Sequence, residues 1–303
     1  MKLLMNKLSE IVGLENLTEA CDMSKFTSFR AGGKADILVQ PQSVEQLKSV
    51  LQVLAAGDVP YMVMGNGSNI LVKDTGYKGV IVKLGDAFNS IDIDGTVLTA
   101  GCGTLMSQVA KAALDQSLTG FEFASGIPGS LGGAVFMNAG AYGGEMVQII
   151  KEAKLVSKDG SREYNLSCDE LELSYRHSIL HETGDIVVSV TMELEKGNKE
   201  EISAYMKELA TKRNEKQPVH LPSAGSFFKR PEGYYAGKLV QDAGMKGFSV
   251  GAAQVSPLHS GFIVNNGGAT ATEILQLMEI VQAAVMEQFG VNLEPEVRII
   301  GLQ

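Results

Sequence analysis

Cysteine is scarce in this chain of 303 residues: Cys21, Cys102 and Cys168 are the whole supply. An odd number without CxxC spacing excludes a disulfide framework and a zinc site of the usual ligand spacing, and suits free thiols in a reducing compartment. Histidine is confined to His177, His181, His220 and His259. All four read as packing or surface residues, and no metal site is expected. Basic residues are outnumbered, 26 Lys and Arg against 35 Asp and Glu, for a formal net charge of −9. That balance argues against nucleic acid as a main partner, because neutralising phosphates takes a basic face. Long apolar runs are missing too. The start, MKLLMNKLSEIVG, is too short in apolar residues for a signal peptide, and no run reaches membrane-spanning length. The expectation is a cytoplasmic protein with no membrane insertion.

Glycine, by contrast, is concentrated. Seven fall between Ser125 and Gly144: Gly126, Gly129, Gly132, Gly133, Gly140, Gly143 and Gly144. Glycine in such numbers weakens regular structure, so bare backbone must serve a purpose here. Backbone N–H groups closing around an anion are one such purpose. Phe136, Met137 and Tyr142 argue against a disordered linker, which would be poor in such residues. The stretch reads as a cradle for a large phosphorylated ligand.

Upstream, Ala35–Gln40 reads as a strand. Ser43 and Gln46 fit a capping box opening a helix that buries Leu47, Val50, Leu51 and Leu54 and ends at Gly57. Pro60 precedes a strand at Tyr61–Met64, which makes a β-α-β unit of the kind that gives parallel pairing. The turn Gly65–Asn69 follows, then Ile70–Val72. From Val80 short strands take over, with Asp94-Gly95 and Lys158-Asp159-Gly160 marking hairpins and Ile186–Leu194 closing the β-rich part. Gly101-Cys102-Gly103 resembles the start of a dinucleotide fingerprint, but Met106 stands at the third glycine position, so the Rossmann reading fails.

Lys199–Lys216 reads as a charged helix with Ile202, Met206, Leu209 and Ala210 inward. A short helix is expected around Ala236–Ala243. A capped helix from Thr270 to Gly290 buries Ile274, Leu277, Met278, Val281 and Val285, and the chain finishes as a strand from Pro295. Modules are expected at 1–84, 85–197 and 198–296, with a terminal strand, 297–303, joining the first. Within the acidic total, Lys207, Lys212, Arg213, Lys216, Lys229 and Arg230 face only Glu208 and Glu215. Lys229 and Arg230 flank a Gly-Ser-Phe-Phe turn, and cations held on a fixed turn suit phosphate or carboxylate, with Arg favoured for bidentate contacts. Two anion sites suggest a cofactor and a substrate.

Taken together, GNGSN at 65–69, SGIPGSLGGAVFMNAGAYGGE at 125–145, SYRHS at 174–178, AGSFFKRP at 224–231 and LEPEVR at 293–298 closely resemble the UDP-N-acetylenolpyruvoylglucosamine reductase (MurB) family. The resemblance runs in order from Ser28 to the C-terminus and is to the shorter form of the family, without a lid insertion. It implies an α+β, three-module flavoprotein: a two-subdomain FAD-binding fold of the vanillyl-alcohol-oxidase type, not Rossmann, with a C-terminal α+β substrate domain. It further implies NADPH-dependent reduction of the enolpyruvyl ether on UDP-N-acetylglucosamine to give UDP-N-acetylmuramate for peptidoglycan. With no histidine before His177, non-covalent FAD is expected.

Carried over by the resemblance, Gly65, Asn66, Gly67, Ser68 and Asn69 hold the FAD pyrophosphate with Gly126, Ile127, Pro128, Gly129 and Ser130. Gly133 lies nearby, and Asn138, Ala139, Gly140 and Ala141 lie against the flavin ring. Arg176, Ser226 and Glu296 match the catalytic positions. Tyr175, Lys216, Lys229 and Arg230 face the substrate. The chemistry needs these types. Hydride arriving at C3 builds negative charge on C2 and its carboxylate as an enediolate, which a guanidinium at Arg176 stabilises. Glu296 assists in protonated form, because an ionised carboxylate would oppose that charge. Ser226 delivers a proton to C2, as a weak acid can where the carbanion is strongly basic. Two other readings stay open: an FAD-dependent alcohol oxidase of the same fold, and a non-catalytic sensor of a nucleotide sugar.

Overall fold

The computed structural model describes residues 2–301. Residue 1, at the start of the expected 1–84 module, and residues 302 and 303, at the end of the expected strand 297–303, lie outside the described residues. Helices and strands are mixed along the chain, an α+β architecture. Among the described residues, no helix is long and apolar enough to cross a membrane.

The helix Val44–Ala56 starts where Ser43 Oγ accepts the Gln46 N–H at 3.2 Å. Its expected capping box is displaced, because Gln46 Oε1 accepts the N–H of Gln42 at 2.8 Å, one residue before Ser43. Leu47, Val50, Leu51 and Leu54 are fully buried, as the 3.6-residue stripe requires. The β-α-β unit needs a correction. Lys34–Val39 and Tyr61–Met64 do not pair, because Tyr77–Lys83 lies between them in a four-stranded sheet. Tyr61–Met64 runs parallel to Tyr77–Lys83, from Tyr61↔Val80 to Met64↔Lys83. Burial explains the order: Val80, Ile81 and Val82 are wholly inaccessible and need neighbours on both edges, while Tyr61, Met62 and Val63 are only half-buried and their strand tolerates an edge.

A second sheet has five strands in the order Glu163–Ser167, Ile150–Val156, Ile186–Glu193, Val97–Gly101, Ile91–Asp94. Every pairing is antiparallel. Both expected hairpins form, with Asp94↔Val97 and Val156↔Glu163 closing their turns. The sheet also explains the failed fingerprint. A Rossmann glycine turn follows a parallel strand, whereas Val97–Gly101 is antiparallel to both neighbours. Its glycines serve packing instead: a Cβ on Gly101 would lie 2.1 Å from Phe88 O, and one on Gly103 would lie 2.2 Å from Gly85 O.

The chain divides into two compact units. The first comprises residues up to Glu19, Ile37–Asn66 and Gly79–Thr211; the second comprises Ala20–Asp36, Gly67–Lys78 and the residues from Lys212 onward. The core of the first gathers Leu47, Leu54, Val80, Val82, Leu98, Val109, Leu131, Val135, Leu155 and Met192. Within the charged helix Lys199–Lys216, Ile202 and Leu209 are buried and Met206 is partly so, but Ala210 is exposed, a correction to the expected inner face.

The second unit centres on Phe29, Phe227, Phe228, Leu239, Val240 and the helix Ala271–Phe289. That helix carries a full capping box. Thr270 Oγ1 accepts the Glu273 N–H at 3.1 Å, Glu273 Oε2 accepts the Thr270 N–H at 3.0 Å, and Gly290 ends it in left-handed conformation with φ 66°. Ile274, Leu277, Val281 and Val285 are fully buried, while Met278 is only partly so. The terminal strand is short, Arg298–Ile300, and pairs parallel with Ile70–Val72.

Candidate active site

In the first unit the two glycine-bearing turns meet. Asn66 Nδ2 donates to the Pro128 carbonyl at 2.8 Å. A Cβ on Gly65 would fall 2.0 Å from Ser130 Oγ, so glycine here leaves room for the Ser130 hydroxyl between the turns. Ile127 N–H donates to Ala124 O at 3.0 Å, and Gly129 O accepts the Met106 N–H at 3.0 Å. The helix Leu131–Phe136 interrupts the glycine stretch, which the glycine count alone did not forecast. Gly132 suits it because the helix packs hard there: a Cβ on Gly132 would lie 2.9 Å from Cys102 Cβ, whereas one on Gly133 would meet Ser130 Oγ at an ordinary 3.7 Å.

Beyond that helix, Asn138 is fully buried and has φ 40°. Its Oδ1 accepts the Val147 N–H at 2.9 Å, and its Nδ2 donates to Glu145 Oε2 at 3.2 Å and to Ser174 O at 3.1 Å. Gly140 and Ala141 pair with Glu145 and Gly144 in a two-residue antiparallel ladder. Ala139 lies between, its N–H donating to Ala134 O at 2.8 Å and its carbonyl accepting the Met146 N–H at 3.1 Å.

Arg176 sits on a tight turn in the same unit. Ser174 and His177 exchange N–H···O bonds of 3.2 and 3.1 Å, leaving Tyr175 and Arg176 at the tip. Arg176 has φ 57°, a left-handed conformation that costs an arginine about 1–3 kcal/mol and persists only where the surroundings impose it. Those surroundings are identifiable. Asn138 holds Ser174, and the buried Ser178 Oγ donates to Phe136 O at 2.8 Å. The rings of Phe136, His181 and His177 stack in sequence, with centroids 4.0 and 5.1 Å apart. The guanidinium lies 5.0 Å from the exposed Tyr175 ring centroid and donates weakly to Gly140 O at 3.5 Å. The turn thus brings together residues that sequence reading assigned separately to the flavin, the catalyst and the substrate.

In the second unit Ser226 and Glu296 are set by one backbone ladder. Glu296 N–H donates to Phe227 O at 2.8 Å, and Lys229 N–H donates to Glu294 O at 2.8 Å around an antiparallel bridge, Phe228↔Pro295. The Glu296 carbonyl accepts Asn69 Nδ2 at 3.1 Å, so Asn69, one of the expected pyrophosphate residues, anchors the backbone of an expected catalytic one. Gly67, in left-handed conformation at φ 66°, accepts the Ser28 N–H on its carbonyl at 3.1 Å, and Ser68 lies between them in the turn. Ser226 Oγ is half-buried and lies 3.4 Å from Phe228 O.

Among the expected substrate cations, Lys229 Nζ is paired with Glu294 at 3.3 Å. The Arg230 guanidinium carbon lies over Tyr235, 4.0 Å from the ring centroid, with Nε donating to Tyr234 O at 3.2 Å. Lys216 is exposed in the last turn of its helix. Sequence reading missed the supporting residues Glu145, Ser178 and Tyr235: the partner of Ser178 lies 42 positions away, and Glu145 and Tyr235 reach Asn138 and Arg230 across irregular turns that no sequence period relates. The three cysteines are free. Burial pushes the Cys102 thiol up to about 12, which leaves it inert as a nucleophile.

This mixed fold, with an antiparallel sheet and a glycine-lined cradle in place of a Rossmann turn, matches the FAD binding domain family over residues 35–163. The protein is therefore an FAD-dependent oxidoreductase of α+β type, with the two-subdomain FAD-binding fold. Residues 217–300 match the model described as UDP-N-acetylenolpyruvoylglucosamine reductase, C-terminal domain. A UDP-N-acetylenolpyruvoylglucosamine reductase from Clostridioides difficile (strain 630) is 50% identical over 97% of this chain and 96% of its own length. One from Clostridium perfringens (strain 13 / Type A) is 51% identical over 97% and 96%. Among solved structures, the UDP-N-acetylenolpyruvylglucosamine reductase (MurB) of Thermus caldophilus superposes with a TM-score of 0.81 at 35% identity, covering 94% of this chain and 98% of that one. The chain belongs to the UDP-N-acetylenolpyruvoylglucosamine reductase family.

Proposed function

We propose that the protein reduces the enolpyruvyl ether of UDP-N-acetylglucosamine-enolpyruvate to UDP-N-acetylmuramate, using NADPH, as a cytoplasmic step of peptidoglycan precursor synthesis. The observation that supports this reading is the Phe228↔Pro295 bridge, which lays the backbone of Phe227–Lys229, next to Ser226, along that of Glu294–Glu296 in the part of the chain matched to the family's own C-terminal domain. The fit of the first unit to FAD rests on the Gly65–Ser130 approach and the Asn66–Pro128 bond, which close two turns into one cradle. On this reading residues 1–84 and 85–197 hold FAD without a covalent link, 198–296 hold the substrate, and the short strand Arg298–Ile300 joins the first module beside Ile70–Val72.

Gly65 to Asn69 and Gly126 to Ser130 would hold the pyrophosphate, with Gly133 close by, and Asn138 to Ala141 would border the ring. Asn138 acts there through its backbone, since its side chain is committed to Glu145, Val147 and Ser174. Held by these residues, FAD would supply the hydride chemistry that links NADPH to C3 of the enolpyruvyl group. The residues of the chain handle the charge and the proton. Arg176 stabilises the negative charge that builds on C2 and its carboxylate, an effect of roughly 3–4 kcal/mol for one preorganised donor. Ser226 gives its hydroxyl proton to C2, and Glu296 supports the same carboxylate. Tyr175, Lys216, Lys229 and Arg230 bind the anionic substrate.

Ser226→Ala tests the reading. NADPH should still bleach the flavin, while reoxidation by substrate slows severely. Loss of the reduction step instead would show that Ser226 is misassigned. NADPH consumption that requires UDP-N-acetylglucosamine-enolpyruvate supports the reductase; substrate-independent turnover with oxygen overturns it in favour of an oxidase.

A further inference from the structure

His259 stands in the turn Ser256–Phe262 of the second unit. Ser256 N–H donates to Phe262 O at 2.9 Å and Phe262 N–H donates to His259 O at 3.0 Å. The fully buried Ser256 Oγ accepts the N–H groups of Leu258 and His259, both at 3.2 Å. The imidazole meets Phe262 edge-on, 5.1 Å between centroids. So ring and turn are both fixed.

What the ring then does is specific. Its Nδ1 accepts the N–H of Gly261 at 3.1 Å, and the Gly261 carbonyl accepts the N–H of Phe227 at 2.8 Å. Two hydrogen bonds therefore run from the imidazole to the residue after Ser226. The space between them is equally defined. A Cβ on Gly261 would lie 3.0 Å from His259 Cε1, 3.1 Å from its Nδ1 and 3.4 Å from Ser226 Oγ. Imidazole and hydroxyl thus border the same gap, which exists because residue 261 has no side chain. The start of the helix Ala236–Asp242 closes another side: a Cβ on Gly237 would lie 3.2 Å from His259 Cε1. Burial pushes the His259 pKa down, which keeps the ring neutral. A neutral ring that accepts at Nδ1 carries its proton on Nε2.

We propose that His259 is a positioning residue for Ser226: its Nδ1 orients the Gly261 peptide, which holds Phe227 and thereby aims the Ser226 hydroxyl. This rests on Ser226 being the proton donor. It assigns His259 a role that plain packing against Phe262 does not need, because packing requires no acceptor at Nδ1.

The test compares His259→Leu, which keeps bulk without an acceptor, with His259→Asn, whose Oδ1 can stand where Nδ1 does. In the FAD holoenzyme, reduction by NADPH and reoxidation by substrate are timed separately, and amide hydrogen exchange is followed at Gly261 and Phe227. His259→Leu should leave reduction unchanged and slow reoxidation about tenfold, the effect of losing one hydrogen bond of ordinary net strength. Exchange at both amides should rise by a similar factor, and His259→Asn should recover most of both losses. Parent-like reoxidation in His259→Leu overturns the proposal. So does equal damage in the two variants, or a joint fall of both half-reactions with a lowered melting temperature. If His259→Leu does not fold, nitrogen NMR of the unaltered protein decides: a proton on Nδ1 at neutral pH overturns the proposal, and one on Nε2 supports it. Ser226→Ala separates the two levels. Unimpaired reoxidation there overturns the Ser226 reading, while the exchange data still test the hydrogen-bonded relay.

Discussion

Asn138 donates its side-chain amide to the backbone carbonyl of Ser174, 3.1 Å away and 36 positions later in the chain. That bond fastens the glycine stretch to the turn that carries Tyr175 and Arg176. Asn138→Ala removes it together with the bonds to Val147 and Glu145, leaving the Val147 N–H without its acceptor and a gap where a fully buried side chain stood, while the Ser174 carbonyl keeps only the His177 N–H. It also puts alanine at φ 40°, where asparagine is better tolerated. The expected loss is about 2–4 kcal/mol of stability by denaturant unfolding. Unfolding unchanged within error would show that the bonds are dispensable.

Gly65→Ala should weaken FAD retention. Its new methyl would sit 2.0 Å from Ser130 Oγ and 3.1 Å from its Cβ, so the Ser130 hydroxyl must swing away or the turns must part. The purified variant should show a lower flavin-to-protein absorbance ratio than the parent. Adding Ser130→Gly should restore part of the binding, because it removes the atom that is struck. Failure of the second substitution to help would place the damage elsewhere.

Acid should loosen the second unit through Asp74. Its carboxylate accepts the N–H of Ala271 at 3.0 Å, and the N–H and hydroxyl of Thr272 at 2.7 and 2.6 Å, at the start of the helix Ala271–Phe289. Burial raises its pKa, but the bonds from Thr272 and Ala271 outweigh burial and leave it below the usual value. A depressed folded pKa means that the contribution is complete above the unfolded value, about 3.9, and fades as pH falls through the folded value. Asp74→Ala should therefore lower the unfolding midpoint at pH 7, and the gap to the parent should shrink below about pH 4. A gap that is constant with pH would rule out this carboxylate as its source.

Tyr235→Ala should raise KM for the nucleotide-sugar substrate while leaving kcat nearly unchanged. The Tyr235 ring lies 4.0 Å beneath Arg230, and an exposed stack of this kind is worth about 0.5–1 kcal/mol, or roughly two- to fivefold. Tyr235→Phe should behave as the parent does. Unaltered KM in Tyr235→Ala would separate Arg230 from substrate binding.

Much of the local structure was legible because its causes are local. Thr270 with Glu273, and Gly290 at the far end, marked a helix that forms between them. Asp94-Gly95 and Asp159-Gly160 marked hairpins because few residues turn a chain so tightly. The motifs around Ser226 and Glu296 were legible as well, since each lies in a short distinctive run. What stayed hidden were partners. Gln46 was free to bond Gln42 in place of Ser43, and no periodicity distinguishes Ala210 in solvent from Leu209 in the core.

The sequence by itself determined the types of element, the scarcity of reactive thiols and histidines, the glycine cradle and the family resemblance. The first three follow from composition and from spacing within a few residues, and the resemblance from five motifs met in order along the chain. The tertiary structure decided that Tyr77–Lys83 separates the strands of the first β-α-β unit and that Arg298–Ile300 runs beside Ile70–Val72. It also decided that Asn138 holds Ser174 and that His259 meets Gly261 beside Ser226. The physical reason is common to these cases. Strand order and side-chain pairing are chosen by the burial and hydrogen bonding of the whole folded chain, and residues apart in sequence carry no local mark of the partner that folding assigns to them.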